Sequence, residues 1–142
     1  MATLTVTIQE NINLNGSERG SVNTVSITGV EQLDQRIVKV GTSEQSLALF
    51  DTAEAAGQFA DASVDYVRIT NLDLTNFVTL RMTSGNDEYF VKIAAGESFV
   101  LFETVMDADD DSGAATPSLT NIDSIKAQAN SAACNVELFI AA

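Results

Sequence analysis

Histidine and tryptophan are absent from this 142-residue chain, cysteine and proline occur once each, and seven cations stand against twenty acids. Each shortage excludes a class of chemistry. Without histidine there is no Ser-His-Asp or Cys-His device and no ordinary zinc site. A single cysteine, Cys134, cannot form an intrachain disulfide or a CxxC redox pair, so a disulfide framework is ruled out. Carboxylate-pair glycosidases build clefts with aromatic platforms, and a chain with no Trp and two Tyr is poorly supplied for that work. No glycine-rich phosphate loop precedes a helix. The expectation is a protein that is not an enzyme and takes no cofactor.

The formal net charge of −13 and a pI near 4.1 make direct nucleic-acid binding unfavourable, because phosphate contacts need a basic surface. The N-terminal segment has neither a basic n-region nor an apolar h-region, and no apolar run approaches the roughly 20 residues of a membrane span. The reading is a chain made in the cytoplasm, with neither nucleic acid nor membrane as partner.

What is present is alternation. In residues 3–14, Leu4, Val6, Ile8, Ile12 and Leu14 share one face, interrupted by Glu10, and Thr, Gln and Asn fill the other. Residues 15–20, NGSERG, read as a turn. Residues 21–28 read as a second strand, with a parity break between Val22 and Val25 that suggests a bulge or a late start. Residues 35–40 and 46–50 are further strands. Residues 51–62 are the one helical candidate, with Asp51 and Glu54 at capping-box spacing and Gly57 as a stop, and they read equally as a loop.

Residues 64–104 read as four strands in a row, 64–70, 77–83, 88–93 and 98–104, separated by turn residues. Setting Thr70 opposite Phe77, Thr83 opposite Glu88 and Ile93 opposite Ser98 yields one apolar face, with Val67, Leu80, Val91 and Val100 as a row. The opposite face collects Tyr66, Arg68, Phe77, Arg81, Phe90, Lys92 and Phe99. Aromatics and arginine are enriched at interfaces, so these seven residues are the candidate contact surface; the alternative is a partly covered sheet face with Arg and Lys stems lying over apolar groups.

Residues 105–118 form an acidic connection. Asp107, Asp109 and Asp111 are weak candidates for a non-EF calcium site; positions six and twelve counted from Asp107 hold serine, which excludes an EF-hand. Residues 122–129 and 134–141 read as a closing hairpin that pairs Ala129 with Cys134 and Lys126 with Glu137, and turns Cys134 into the core. The sum is an all-β chain of about ten short strands, a single 1–142 domain. The expected architecture is an antiparallel two-sheet β-sandwich of jelly-roll type, with an open barrel as the alternative.

Three segments, VRITNLD (67–73), YFVKIAAGESFVLF (89–102) and LTNIDSIKAQANSAACNVELFIA (119–141), give the second half of the chain a further character. It resembles small virion structural proteins of tailed bacteriophages. That resemblance implies a capsid decoration or cement protein, with a tail, neck or fibre component as the rival. It also implies a homo-oligomer, with three copies suggested by capsid analogy, whose partners are the major capsid or other virion proteins. A calcium-dependent, lectin-like binding module is the alternative from another class, and it would need the Asp107–Asp111 loop charged and metal-loaded.

Overall fold

Asn15 and Gly16 both adopt positive φ, 53° and 83°, and these two residues alone separate two long strands, β1 (Ala2–Leu14) and β2 (Ser17–Val30). The computed structural model describes residues 1–85, 87–107 and 118–142. Its contacts divide the chain into two units, Met1–Gln32 and Leu33–Ala142.

The first unit is the β1–β2 hairpin. A two-residue connection with φ > 0 at both positions matches the twist of its flanking strands, and Asn-Gly supplies it with the least strain. Residues 17–20, expected in the turn, are therefore strand. The register runs unbroken from Thr3 opposite Thr28 to Leu14 opposite Ser17. No bulge separates Val22 from Val25: Val22 sits on the polar face beside Gln9 and is exposed. The register shift falls instead at Ala2/Thr3, across from Gly29, whose φ is 91°.

The second unit holds β3 (Leu33–Val40), β4 (Gln45–Asp51), β5 (Phe59–Ala60), β6 (Tyr66–Asn71), β7 (Val78–Ser84), β8 (Asp87–Ile93) and β9 (Ser98–Leu101). It continues with β10 (Val105–Met106), β11 (Thr120–Asn121), β12 (Ser124–Ala129) and β13 (Cys134–Ala141). Among the described residues thirteen strands thus replace the ten or so expected; the two-residue strands β5, β10 and β11 are too short to carry an alternation signal. Two large sheets form, in the orders β3-β13-β6-β9 and β5-β4-β12-β7-β8, with β10 and β11 as a separate pair. All pairings are antiparallel except β4 with β5.

The pairings nest about the β7–β8 turn. β7 pairs with β8, β6 with β9, β4 with β12 and β3 with β13, as one antiparallel ribbon folded back on itself would. Contacts of β13 with β6 and of β12 with β7 complete the two sheets. Both line a common core. Val67, Ile69, Val136, Leu138 and Ile140 come from one sheet, and Leu80, Met82, Ile93, Ile125 and Ala127 from the other. The result is sandwich-like.

The expected four-strand meander is corrected by this topology. Thr83 does face Glu88, and Leu80 does face Val91. Thr70, however, faces Ser98 and not Phe77, because β6 and β7 lie in different sheets. Ile93 and Ser98 part in the same way. Val100 pairs with Arg68, which takes it off the core row. The expected C-terminal hairpin is also an arch: β12 and β13 belong to opposite sheets, and Lys126 lies beside Arg81 instead of Glu137.

Polar side chains make these crossings possible. The Asn71 side-chain amide donates to the carbonyls of Asn76, Ile93 and Ala94, and its oxygen accepts from the Asp73 amide. Asp73 in turn accepts from the amides of Thr75 and Asn76. The arch at 130–133 docks beside it, with the Phe77 amide donating to the Asn130 side chain and the Leu72 amide to the Asn135 carbonyl. Buried backbone groups that leave a sheet ladder need such partners.

Residues 51–62 are not helical. Asp51 accepts from the adjacent Thr52 amide instead of capping a helix, and a tight turn closes from Gln58 to Ala55 with Gly57 at φ 86°. One 3-10 turn follows at Asp61–Ser63. Positive φ at Gly57 is incompatible with helix continuation.

Candidate contact face

The outer surface of the β5-β4-β12-β7-β8 sheet brings three cations together. One row runs Phe90–Arg81–Lys126–Ser46, and the next runs Lys92–Thr79–Gln128. Period-2 alternation puts these residues outward, because Leu80, Met82, Ile125 and Ala127 occupy the inward positions between them.

Arg81 is held in place. One guanidinium nitrogen donates to Glu44 at 2.5 Å and the other to Glu88 at 2.8 Å. The hydrogen bond to Glu44 leads in raising its pKa above the ordinary arginine value, with the Glu44 and Glu88 charges assisting against desolvation. Its Nε is buried without a hydrogen-bond partner. The Lys92 ammonium lies 4.5 Å from the centroid of the Phe77 ring, inside cation–π range. Among the described residues neither Lys92 nor Lys126 has an ion pair. Phe90, in the edge strand β8, stands 56% exposed beside them.

The seven residues predicted as one surface are therefore divided. Phe77, Arg81, Phe90 and Lys92 are together on this sheet. Tyr66 and Arg68 belong to β6 in the other sheet, and Phe99, on β9, packs against the core. Arg68 donates to Glu137 at 2.8 Å and to Thr70, with its guanidinium 5.9 Å from the Phe139 ring centroid. The Arg68 hydrogen bond, helped by Gln35, holds the Glu137 carboxyl below its usual range. Tyr66 is buried edge-on against Phe102 and Phe139. Burial raises its hydroxyl pKa, opposed by the Arg68 charge. This second cluster satisfies itself and offers little to a partner.

Lys126 was missed from the sequence. Its position in the alternation of residues 124–129 marked it as outward, but the assumed hairpin paired it with Glu137. Cys134 is buried and free as expected, and burial pushes its thiol pKa up. Asp107 accepts from the Ser118 amide at 2.5 Å; Asp109 and Asp111 lie outside the described residues. Among the described residues there is no group of three His, Cys, Asp or Glu placed to hold a metal, and no helix long and apolar enough to cross a membrane.

Chemically, the face offers, around an exposed ring, two ammonium groups without an ion pair among the described residues and a guanidinium already paired with Glu44 and Glu88. The chain matches no protein-family model, no curated protein and no solved structure.

Proposed function

We propose that the chain is a virion structural protein of a tailed bacteriophage, of the capsid decoration or cement type, which docks on the head and reinforces it without catalysing a reaction. The observation that carries this reading is the nested strand order. The order β3-β13-β6-β9 opposite β4-β12-β7-β8, with β5 added at one edge, supports an eight-strand jelly-roll reading. Viral capsid domains use that architecture. The outer face supports it further, since a chain of net charge −13 places Lys92 and Lys126 there without an ion pair among the described residues, beside the exposed Phe90. Complementary charge there fixes docking and excludes wrong partners, and Phe90 supplies the apolar anchor.

The test is add-back to heads that lack this chain. Saturable binding, and a rise in the temperature at which heads open, are expected for the wild type. Lys92→Glu with Lys126→Glu breaks no ion pair among the described residues, so that variant should remain folded and lose head binding. Wild-type protein that fails to bind such heads removes the decoration reading.

A further inference from the structure

The strand β8 leaves a row of backbone groups open at the edge of the larger sheet. Among the described residues it pairs with β7 on one side and with no strand on the other. Which groups are open follows from the ladder. The Asn130 amide donates to the Phe77 carbonyl, so the odd-numbered residues of β7 turn their backbone groups toward β12. The even-numbered ones then bond β8, at Leu80/Val91 and Met82/Tyr89. The amides and carbonyls of Glu88, Phe90 and Lys92 are left facing away from the sheet. Proteins usually protect such an edge by keeping it short or covering it. The edge strands β5 and β9 are short, at two and four residues. β8 has seven, and Tyr89 and Phe90 on it are 51% and 56% exposed.

The strand's own sequence identifies the occupant. A second copy of β8, antiparallel about a two-fold axis normal to the sheet, must join residues of like parity. Centred on Phe90, it aligns all seven residues: Phe90 with Phe90, Tyr89 with Val91, Glu88 with Lys92 and Asp87 with Ile93 of the mate. The open backbone groups of Glu88, Phe90 and Lys92 then face one another, which is where hydrogen-bonded pairs must fall. Each Glu88 carboxylate stands opposite a Lys92 ammonium, which has no ion pair among the described residues. Opposite charges directly across a ladder attract, and so do an aromatic and a β-branched side chain such as Tyr89 and Val91. Moving the centre to Tyr89 or Val91 would separate Glu88 from Lys92. The other long edge, β3, has eight residues, so no two-fold register aligns it end to end.

We propose that the chain forms a homodimer in which β8 of each copy pairs antiparallel with β8 of the other, centred on Phe90, and joins their five-stranded sheets into one. The contact uses the edge of the sheet, leaves Lys126 on the outer face and does not depend on the virion reading.

Light scattering and residue-resolved hydrogen exchange on the purified full chain, without capsids, test it. The expected mass is twice the 15.1 kDa of one chain. In the dimer the amides of Glu88, Phe90 and Lys92 should be protected, as are those of Tyr89 and Val91, which bond β7. Glu88→Lys and Lys92→Glu, each alone, set like charges opposite each other and should give monomers. Protection at positions 88, 90 and 92 should then be lost, while Tyr89 and Val91 keep theirs. Glu88→Lys combined with Lys92→Glu should recover the dimer, and that recovery cannot come from a misfolded strand. A wild-type monomer at every concentration overturns the proposal. So does a trimer, a dimer in which the amides of Glu88, Phe90 and Lys92 exchange freely, or a dimer that survives both single substitutions. Failure of the double reversal to recover the dimer overturns the register centred on Phe90.

Discussion

The side-chain nitrogen of Asn71, at the end of β6, donates to the backbone carbonyl of Ile93 on β8 at 3.3 Å, and so bonds one large sheet to the other. The same nitrogen reaches the carbonyls of Asn76 at 2.8 Å and Ala94 at 3.1 Å. An amide nitrogen has two hydrogens, so three acceptors share them. Asn71 is fully buried, and its own backbone carbonyl accepts from Gly96.

Replacing Asn71 should therefore cost far more than its size suggests. Asn71→Leu leaves buried carbonyls without a donor, at about 1–3 kcal/mol for an unsatisfied group. Asn71→Asp should be worse, because a carboxylate would face the same carbonyls. Chemical denaturation should show both midpoints lowered in that order. An unchanged midpoint for Asn71→Leu would contradict the role of this side chain as the link between the sheets.

Gly20 has a different constraint. A Cβ built there would meet the Glu10 carbonyl oxygen at 2.4 Å, a backbone atom that cannot swing aside. Gly20→Ala should loosen the hairpin locally, so that amides around residues 10–20 exchange faster while those of β12 and β13 keep their protection. Unaltered exchange in the hairpin would mean that the strands do not approach so closely.

Acid should weaken the second unit through two carboxylates. Backbone hydrogen bonds from Asn76 and Thr75 hold the Asp73 pKa below its ordinary value, and the Arg68 hydrogen bond does the same for Glu137. A depressed folded pKa contributes stability that is present above the unfolded value of about 4, and that is lost as pH falls through the folded value. The melting temperature should drop between about pH 5 and pH 3. Asp73→Asn with Glu137→Gln keeps acceptor oxygens and removes the titration, so its melting temperature should fall less over the same range.

Local pattern was readable in the residues, whereas sheet membership was not. The β7–β8 register follows from alternation and a short turn, and Leu80 opposite Val91 is what residues 77–93 demand. Alternation says which side of a strand faces inward, but not whether the next strand lies beside it or across the core. Val67 and Leu80 are both fully buried, from opposite sheets, and the stretch 71–77 fits a hairpin loop or an arch equally well. The arch is chosen by the Asn71 and Asp73 hydrogen bonds, whose acceptors and donors are distant in sequence or hidden in the loop itself. The contact face inherited this ambiguity. Arg81, Phe90 and Lys92 lie together because the β7–β8 hairpin carries them, with Phe77 just before it, and Lys126 joins them only through a long-range pairing. The Asn15-Gly16 turn was legible as a turn but not in its extent, since residues 17–20 have turn-like composition inside a strand.

The nested pairing has a consequence for how the protein is made. β12 and β13 are interior strands, each hydrogen-bonded on both sides, and translation delivers them after the other strands of the second unit. Until they emerge, β3 and β4 have no partner on the side each must fill, and Leu33 waits for Ala141. Pairings so distant in sequence close slowly because the loop entropy is lost before the contact forms. The second unit can therefore close only after β12 and β13 have been made. A chain that stops before residue 124 would lack an interior strand of each large sheet.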